Sequence, residues 1–336
     1  MIFFIALSLN LLFSLASSAE NSCVGLSYLD CHSENQCKWD LETWKCIPKQ
    51  QQSANLRPNK TPLASVGFAG CGFLGVYELG ALAALEEHGA IVRGTTLIAG
   101  GSAGAILTAA WCAYSPIPLM SALLFDLLEK CGKNGLAEAK CNGHYEELNR
   151  ELLNKAIPKG PFWKNCNATA SIQFTQVQNT KTCPPQTLQS RIIGGDLVTN
   201  FFSKSDLIDA ASASSFIWAF SAPPTQCSAQ FRNMYGIDAG YSNVLPCPNN
   251  ANNSLPFSQT GCLKISGEPP DQWYGEPVYQ AEIYPSVQGT YPKGLTQQDY
   301  DDNLWANVVK VNQYKYSLYK AGFSDATWWV QNNWLS

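Results

Sequence analysis

The sequence predicts an α/β fold with a mainly parallel central sheet, preceded by a small disulfide-rich module. Three observations predict it. Short apolar runs pass twice through glycine-rich turns into helical runs, the order of a parallel sheet with right-handed crossovers. Hydrophobic residues make up 46% of the 336 positions, ample for a sizeable core. Four of the 13 cysteines, Cys23, Cys31, Cys37 and Cys46, crowd a short segment ahead of that core.

Taken in order, Ile2 to Ala16 is an apolar run broken mainly by Ser8, Asn10 and Ser14, with the small residues Ser17-Ser18-Ala19 behind it. It reads as a signal peptide over 1–19, although no Lys or Arg precedes the run. It is short for a membrane span, which needs about 20 apolar residues. The expected location is the secretory pathway, secreted or in an endomembrane lumen, where cysteines pair. Asn59-Lys60-Thr61, Asn167-Ala168-Thr169 and Asn252-Asn253-Ser254 are then glycosylation acceptors. Residues 20–48 form the four-cysteine module, with three pairings open, Trp39 and Trp44 as its core, and no partner identified. Zinc is disfavoured there, because no C-x-x-C pair occurs and the compartment is oxidising. Residues 49–62, rich in Gln, Asn, Lys and Pro, read as a linker. Residues 63–336 form the main domain, with its core motifs in 63–246.

That domain opens with a strand over Ala64–Ala69. A helix over Phe73–His88 follows, its broad apolar face ending at Gly89 as a cap. Thr96–Ala99 reads as a buried strand and Ala105–Ala110 as a helix. Leu119–Lys130 and Tyr145–Ala156 look helical. Ile172–Val177 alternates like a strand with one wet face. Ser205 is expected to cap a helix over Asp206–Ser214, and Met234–Ile237 reads as a late strand ending at Asp238. Cys247–Gln272, rich in Asn, Pro, Ser and Gly, is expected to be a surface excursion. Tyr300–Ala321 is expected to be the terminal helix, closed by Gly322. Trp328, Trp329 and Trp334 fit packing of that helix better than an interfacial anchor.

A net charge of −4 with no block of like charge argues against nucleic acid and against electrostatic docking on anionic membranes. The chemistry gathers at the two glycine-rich turns. Gly100-Gly101-Ser102-Ala103-Gly104 joins a strand to a helix, the pattern of a nucleophile elbow. Gly100 and Gly104 serve the tight turn, and the helix points its unsatisfied N–H groups at Ser102. Gly70-Cys71-Gly72-Phe73-Leu74-Gly75 matches G-x-G-x-x-G, but the second strand carries no acid for a ribose. The loop is better read as an oxyanion hole, and no nucleotide, cofactor or metal is expected.

Serine needs a base. None of the three histidines, His32, His88 and His144, occupies the position after a late strand that an α/β hydrolase uses. Asp238 does end a late strand, where ligands gather in open sheets; a turn aspartate capping its own loop is the competing reading. Cys71 is expected to be a free thiol, which accounts for the odd cysteine. Phe216, Trp218 and Phe220, in the apolar stretch Ala210–Pro223, are candidates both for an acyl channel and for core.

Three ordered motifs resemble the patatin-like phospholipase family, most nearly its animal triglyceride-lipase branch. They are Phe68–Tyr77 around the glycine loop, Gly101–Ala105 around Ser102, and Ile237–Pro246 around Asp238; the similarity runs from Pro62 to about Pro246. The resemblance implies a patatin-like three-layer sandwich and a Ser–Asp dyad without histidine. Ser102 would be the nucleophile, Asp238 the base, and Gly70, Cys71 and Gly72 the oxyanion hole. Leu74 stands where many members carry Lys or Arg, and the triglyceride-lipase branch shares this apolar choice. The usual Asp-Gly-Gly or Asp-Gly-Ala reads Asp238-Ala239-Gly240. Were the middle position to need φ > 0, Ala239 would cost about 1 kcal/mol. The implied activity is hydrolysis of acylglycerol or phospholipid esters at a membrane interface, through an acyl-enzyme. Transacylation and an inactive lumenal lipid-binding protein are the alternatives.

Overall fold

The computed structural model of the protein describes residues 37–40, 45–48, 60–132, 141–178, 191–248, 256–269 and 281–336. The chain divides into two compact units, 1–57 and 58–336. In the first, β1 (Cys37–Asp40) and β2 (Lys45–Pro48) pair as an antiparallel hairpin. The expected signal peptide, His32, most of the linker and the side chains of the cysteine module lie outside the described residues.

In the second unit, β3 (Ser65–Phe68) leads through a 3-10 turn into α1 (Gly75–Glu87), where His88 and Gly89, at φ +71, close the helix as its sequence requires. β4 (Leu97–Gly101) leads into α2 (Ala103–Cys112). Then come α3 (Ile117–Cys131), α4 (Tyr145–Ala156), β5 (Ala170–Val177), β6 (Ile192–Val198) and α5 (Lys204–Ser214). β7 (Ala229–Phe231), β8 (Met234–Ile237), β9 (Cys262–Ile265) and α6 (Val308–Trp329) complete the main elements.

The sheet order is β7-β8-β5-β4-β3-β9, with β6 on β5. β9, β3, β4 and β5 are parallel neighbours, and β6 and β8 run against β5. β7 runs against β8 and so points the same way as β5. The sheet is mixed but mainly parallel, as expected.

Several elements depart from expectation. β5 has no wet face, because Ser171, Gln173 and Thr175 are buried beside Ile172 and Phe174. On its polar side the Thr175 hydroxyl bonds the Asp238 carbonyl and Ser242, and the Gln173 amide bonds Ser242. Cys262–Ile265 is not a surface excursion but a buried parallel edge strand, tied back by the Cys247–Cys262 disulfide. Ser203, not Ser205, caps α5, its hydroxyl accepting the Asp206 N–H at 3.0 Å. The terminal helix begins at Val308 and runs through Gly322. A Cβ at Gly322 would lie 2.0 Å from the Tyr77 carbonyl oxygen, so the glycine permits close packing of α6 on α1. Trp329 and Trp334 are buried with that helix, while Trp328 is exposed. No helix among the described residues is long and apolar enough to cross a membrane.

Candidate active site

β4 ends at Gly101 and α2 begins at Ala103, so a single residue turns the chain from strand to helix. The turn is made at Ser102, which sits at φ +49, ψ −118, a conformation costly for a residue with a Cβ. The glycines around it are there for space. A Cβ on Gly100 would lie 2.1 Å from the Gly104 carbonyl oxygen, and one on Gly104 would lie 2.4 Å from the Phe68 carbonyl oxygen. The Ser102 N–H donates to Ser214 Oγ at 2.8 Å, and that hydroxyl in turn donates to the Gln173 carbonyl. Strand β5 and helix α5 therefore both hold the elbow.

Asp238 reaches Ser102 through strand register. β6 pairs along one edge of β5 from Ile172 to Val177. On the other edge β4 arrives parallel and stops at Gly101, opposite Gln173, while β8 arrives antiparallel and stops at Ile237, opposite Thr175. The two strands end head to head, with only Phe174 between their last partners. The residues just past each end, Ser102 and Asp238, then meet. Ser102 Oγ donates to Asp238 Oδ2 at 2.6 Å. The Asp238 N–H donates to the Phe216 carbonyl at 2.9 Å, and the Thr175 hydroxyl donates to the Asp238 carbonyl at 2.8 Å. Oδ1 accepts the Gly240 N–H at 2.8 Å, so the aspartate also caps its own turn.

Both residues are buried, at 6% and 9% exposure. Burial pushes the Asp238 carboxyl up to about 6, against the hydrogen bonds from Ser102 and Gly240, which favour its ionised form. Ala239 lies in a 3-10 turn and has no positive φ, so the alanine carries no strain.

The glycine loop lies alongside. The Gly70 N–H is already spent, donating to the Val244 carbonyl at 2.7 Å, which departs from the expected donor role. What Gly70 supplies is room, since a Cβ there would lie 2.8 Å from the Ser102 Cβ. The Cys71 and Gly72 N–H groups have no backbone partner among the described residues, and Gly72, at φ +55, bends the chain around Ser102. The Cys71 thiol is free and buried. Burial, with Glu78 and Glu268 nearby, holds it well above the usual thiol range, so it stays protonated.

Glu78 escaped the sequence reading. It is fully buried on α1, and its Oε1 accepts the Ala69 N–H at 2.9 Å at the base of the loop. Burial raises its carboxyl well above the ordinary range. The available signal was a single acid inside the apolar run Leu74–Leu85.

A cavity of about 200 Å³ opens beside Ser102. Phe73, Tyr145 and Phe220 line it as a ring cluster, with centroids 5.0 to 5.9 Å apart. Ile217, Trp305 and Ala306 line another part. Of the three aromatics expected at an acyl channel, Phe220 lines the cavity. Phe216 is core, and Trp218 lies outside the lining. No sequence signal pointed to Trp305. His88 pairs with Thr327, and the exposed His144 lies beside Glu147, so neither joins the site. Among the described residues no group of three His, Cys, Asp or Glu is placed to hold a metal.

The arrangement offers a hydroxyl hydrogen-bonded to a buried carboxylate, loop N–H groups and an apolar pocket. The chain is also similar in sequence to known proteins. A family model described as patatin-like phospholipase matches residues 67–249, more than half of the chain. The human 1-acylglycerol-3-phosphate O-acyltransferase PNPLA3 is 28% identical over 185 residues, covering 54% of this chain and 34% of that protein. Human patatin-like phospholipase domain-containing protein 4 is 27% identical over 293 residues, covering 81% of this chain and 98% of that protein. Human omega-hydroxyceramide transacylase is 26% identical over 187 residues, covering 54% of this chain and 31% of that protein. The chain thus spans about a third of the length of the first and third of these relatives.

Proposed function

Because the chain belongs to the patatin-like phospholipase family, we propose that it is a lipid acyl hydrolase working through a Ser102–Asp238 dyad and an acyl-enzyme. The observation that carries the reading is the 2.6 Å hydrogen bond from Ser102 Oγ to Asp238 Oδ2 at the edge of an apolar cavity. As Ser102 Oγ attacks the ester carbonyl, its proton passes to Asp238 Oδ2. The Cys71 and Gly72 N–H groups receive the developing oxyanion. The tetrahedral intermediate collapses, the C–O bond to the alcohol breaks, and Asp238 returns its proton to the leaving oxygen. Water then attacks the acyl-Ser102 ester, again giving a proton to Asp238; the bond from the acyl carbon to Oγ breaks, Asp238 returns that proton to Ser102 Oγ, and the acid leaves.

An ordinary aspartate is too weak a base for this role. Burial supplies the difference: a carboxylate near 6 is still ionised at neutral pH and matches the proton transfer far better than one near 4. Helix α2 adds its N-terminal dipole at Ser102.

An alcohol in place of water turns the same cycle into transacylation. The names of two relatives, an acyltransferase and a transacylase, favour keeping this reading. A secretory-pathway location, with a signal peptide over 1–19 and a separate four-cysteine module over 20–48, is supported by the disulfides Cys112–Cys166, Cys131–Cys141 and Cys247–Cys262.

The test compares wild type, Ser102→Ala and Asp238→Asn for hydrolysis of acylglycerol and phospholipid esters, with fluorophosphonate labelling of Ser102 and a long-chain alcohol as competing acceptor. Loss of hydrolysis in both variants supports the dyad, and acyl transfer outrunning hydrolysis selects the second reading. Unchanged hydrolysis in Ser102→Ala defeats the mechanism.

A further inference from the structure

One wall of the cavity comes from a part of the chain that the family match, ending at 249, does not reach. Trp305 lies on the short turn Leu304–Ala306, ahead of α6. It sits directly on the glycine loop: a Cβ on Gly72 would lie 2.6 Å from the Trp305 carbonyl oxygen and 3.0 Å from its ring atom Cε3. The turn is held firmly. Leu304 is buried beneath it. Asn307 caps α6 by accepting the Lys310 N–H at 3.1 Å. Lys310 also pairs with Asp299, which closes a capping box with Thr296. Trp305, whose indole N–H donates to Asn303 Oδ1 at 3.3 Å, forms one wall of a pocket whose lining includes the Phe73–Tyr145–Phe220 cluster and Ile217.

The chemistry of that lining decides what the pocket takes. No charged side chain lines it, so it suits the hydrocarbon of an acyl group and not a head group. Its size decides how much. An apolar cavity of about 150 Å³ binds a benzene of six carbons, so by proportion about 200 Å³ holds roughly eight.

We propose that this site takes short-to-medium acyl esters, up to about eight carbons, and that Trp305 is the residue that sets the limit. The proposal rests on the acyl-hydrolase reading above. Trp305 contacts the acyl chain and handles no proton. Shortening it to alanine joins the pocket to the space the indole fills and admits longer chains.

The experiment measures kcat/KM for p-nitrophenyl butyrate, octanoate and dodecanoate, each below its micelle concentration. The proteins are the full chain as wild type, Trp305→Ala, Trp305→Phe and Ser102→Ala. In wild type, kcat/KM climbs toward octanoate by up to about fourfold per buried methylene. It then falls about tenfold or more at dodecanoate, the scale on which a filled apolar pocket discriminates. In Trp305→Ala the dodecanoate-to-butyrate ratio rises about tenfold or more, with Trp305→Phe between. Because this is a ratio from one preparation, a partly folded variant does not distort it. Wild type that handles dodecanoate as well as octanoate, or a ratio unmoved in Trp305→Ala, overturns the assignment of Trp305. If Ser102→Ala abolishes hydrolysis at the same time, the dyad stands and only the size limit falls. If wild type hydrolyses no ester, or Ser102→Ala hydrolyses as wild type does, the acyl-hydrolase reading falls and the proposal falls with it.

Discussion

Replacing Asp238 by asparagine should make the protein more stable at neutral pH while removing its activity. The carboxyl is buried, and its proton is held to about 6 instead of the ordinary 3.8. That difference corresponds to about 3 kcal/mol by which the fold prefers the neutral form over the charged one. The sign follows from linkage. The folded state binds the proton more tightly than the unfolded chain, so this stabilisation is fully present below about pH 4 and is lost as pH rises through about 6. At pH 7 the wild type therefore bears nearly the whole cost of a buried charge. Asparagine is neutral, has the same shape, and still accepts the Ser102 hydroxyl or the Gly240 N–H. Part of the gain goes to weaker hydrogen bonds, leaving about 1–3 kcal/mol at pH 7. Urea denaturation of both proteins from pH 4 to pH 8, with disulfides intact, reads this directly. The stability difference should open between pH 4 and 6 in favour of the variant and stay flat above 7. A variant less stable than wild type by the same amount at every pH would refute the claim that burial strains this carboxylate. In parallel, wild-type kcat/KM should rise with pH to a half-maximum near 6, because the base must be ionised.

Other consequences follow from the same geometry. Ser102→Gly should be about 1 kcal/mol more stable than Ser102→Ala by thermal denaturation, since only glycine relieves the positive φ; equal stability would remove the case for strain at the elbow. Glu78→Gln, which keeps an acceptor for the Ala69 N–H, should hold kcat near wild type, whereas Glu78→Leu should lower kcat about tenfold with little change in KM as the loop loosens. Steady-state kinetics on both variants checks it, and a matching loss in Glu78→Gln would point to the charge instead. Replacing both Cys112 and Cys166 by serine removes a link across 54 residues and should cost about 4 kcal/mol in urea unfolding.

Some of this was legible in the chain because it is written locally. Hydrophobic period and turn chemistry marked β3, α1, α2, α4 and β8, and the glycines around Ser102 and Cys71 marked both turns. The alanine beside Asp238 looked costly only because its φ was unknown. β9 was hidden, since four buried residues that include Lys264 sit among Asn-, Ser- and Gly-rich flanks and pair with β3 across the chain. α6 was misplaced because Gly322 signals a helix end locally but serves a helix crossing with Tyr77.

The residue types of the site and the turns that carry Ser102 and the glycine loop were thus determined by the sequence alone. Their meeting was not. Ser102 and Asp238 come together because β4 and β8 end head to head on one edge of β5, which is a matter of register between strands far apart in the chain. The base strength of Asp238 depends on burial by residues from other elements, the spent N–H of Gly70 on Val244, and the pocket wall on Trp305. Distances and dielectric belong to the packed molecule, and no local pattern encodes them.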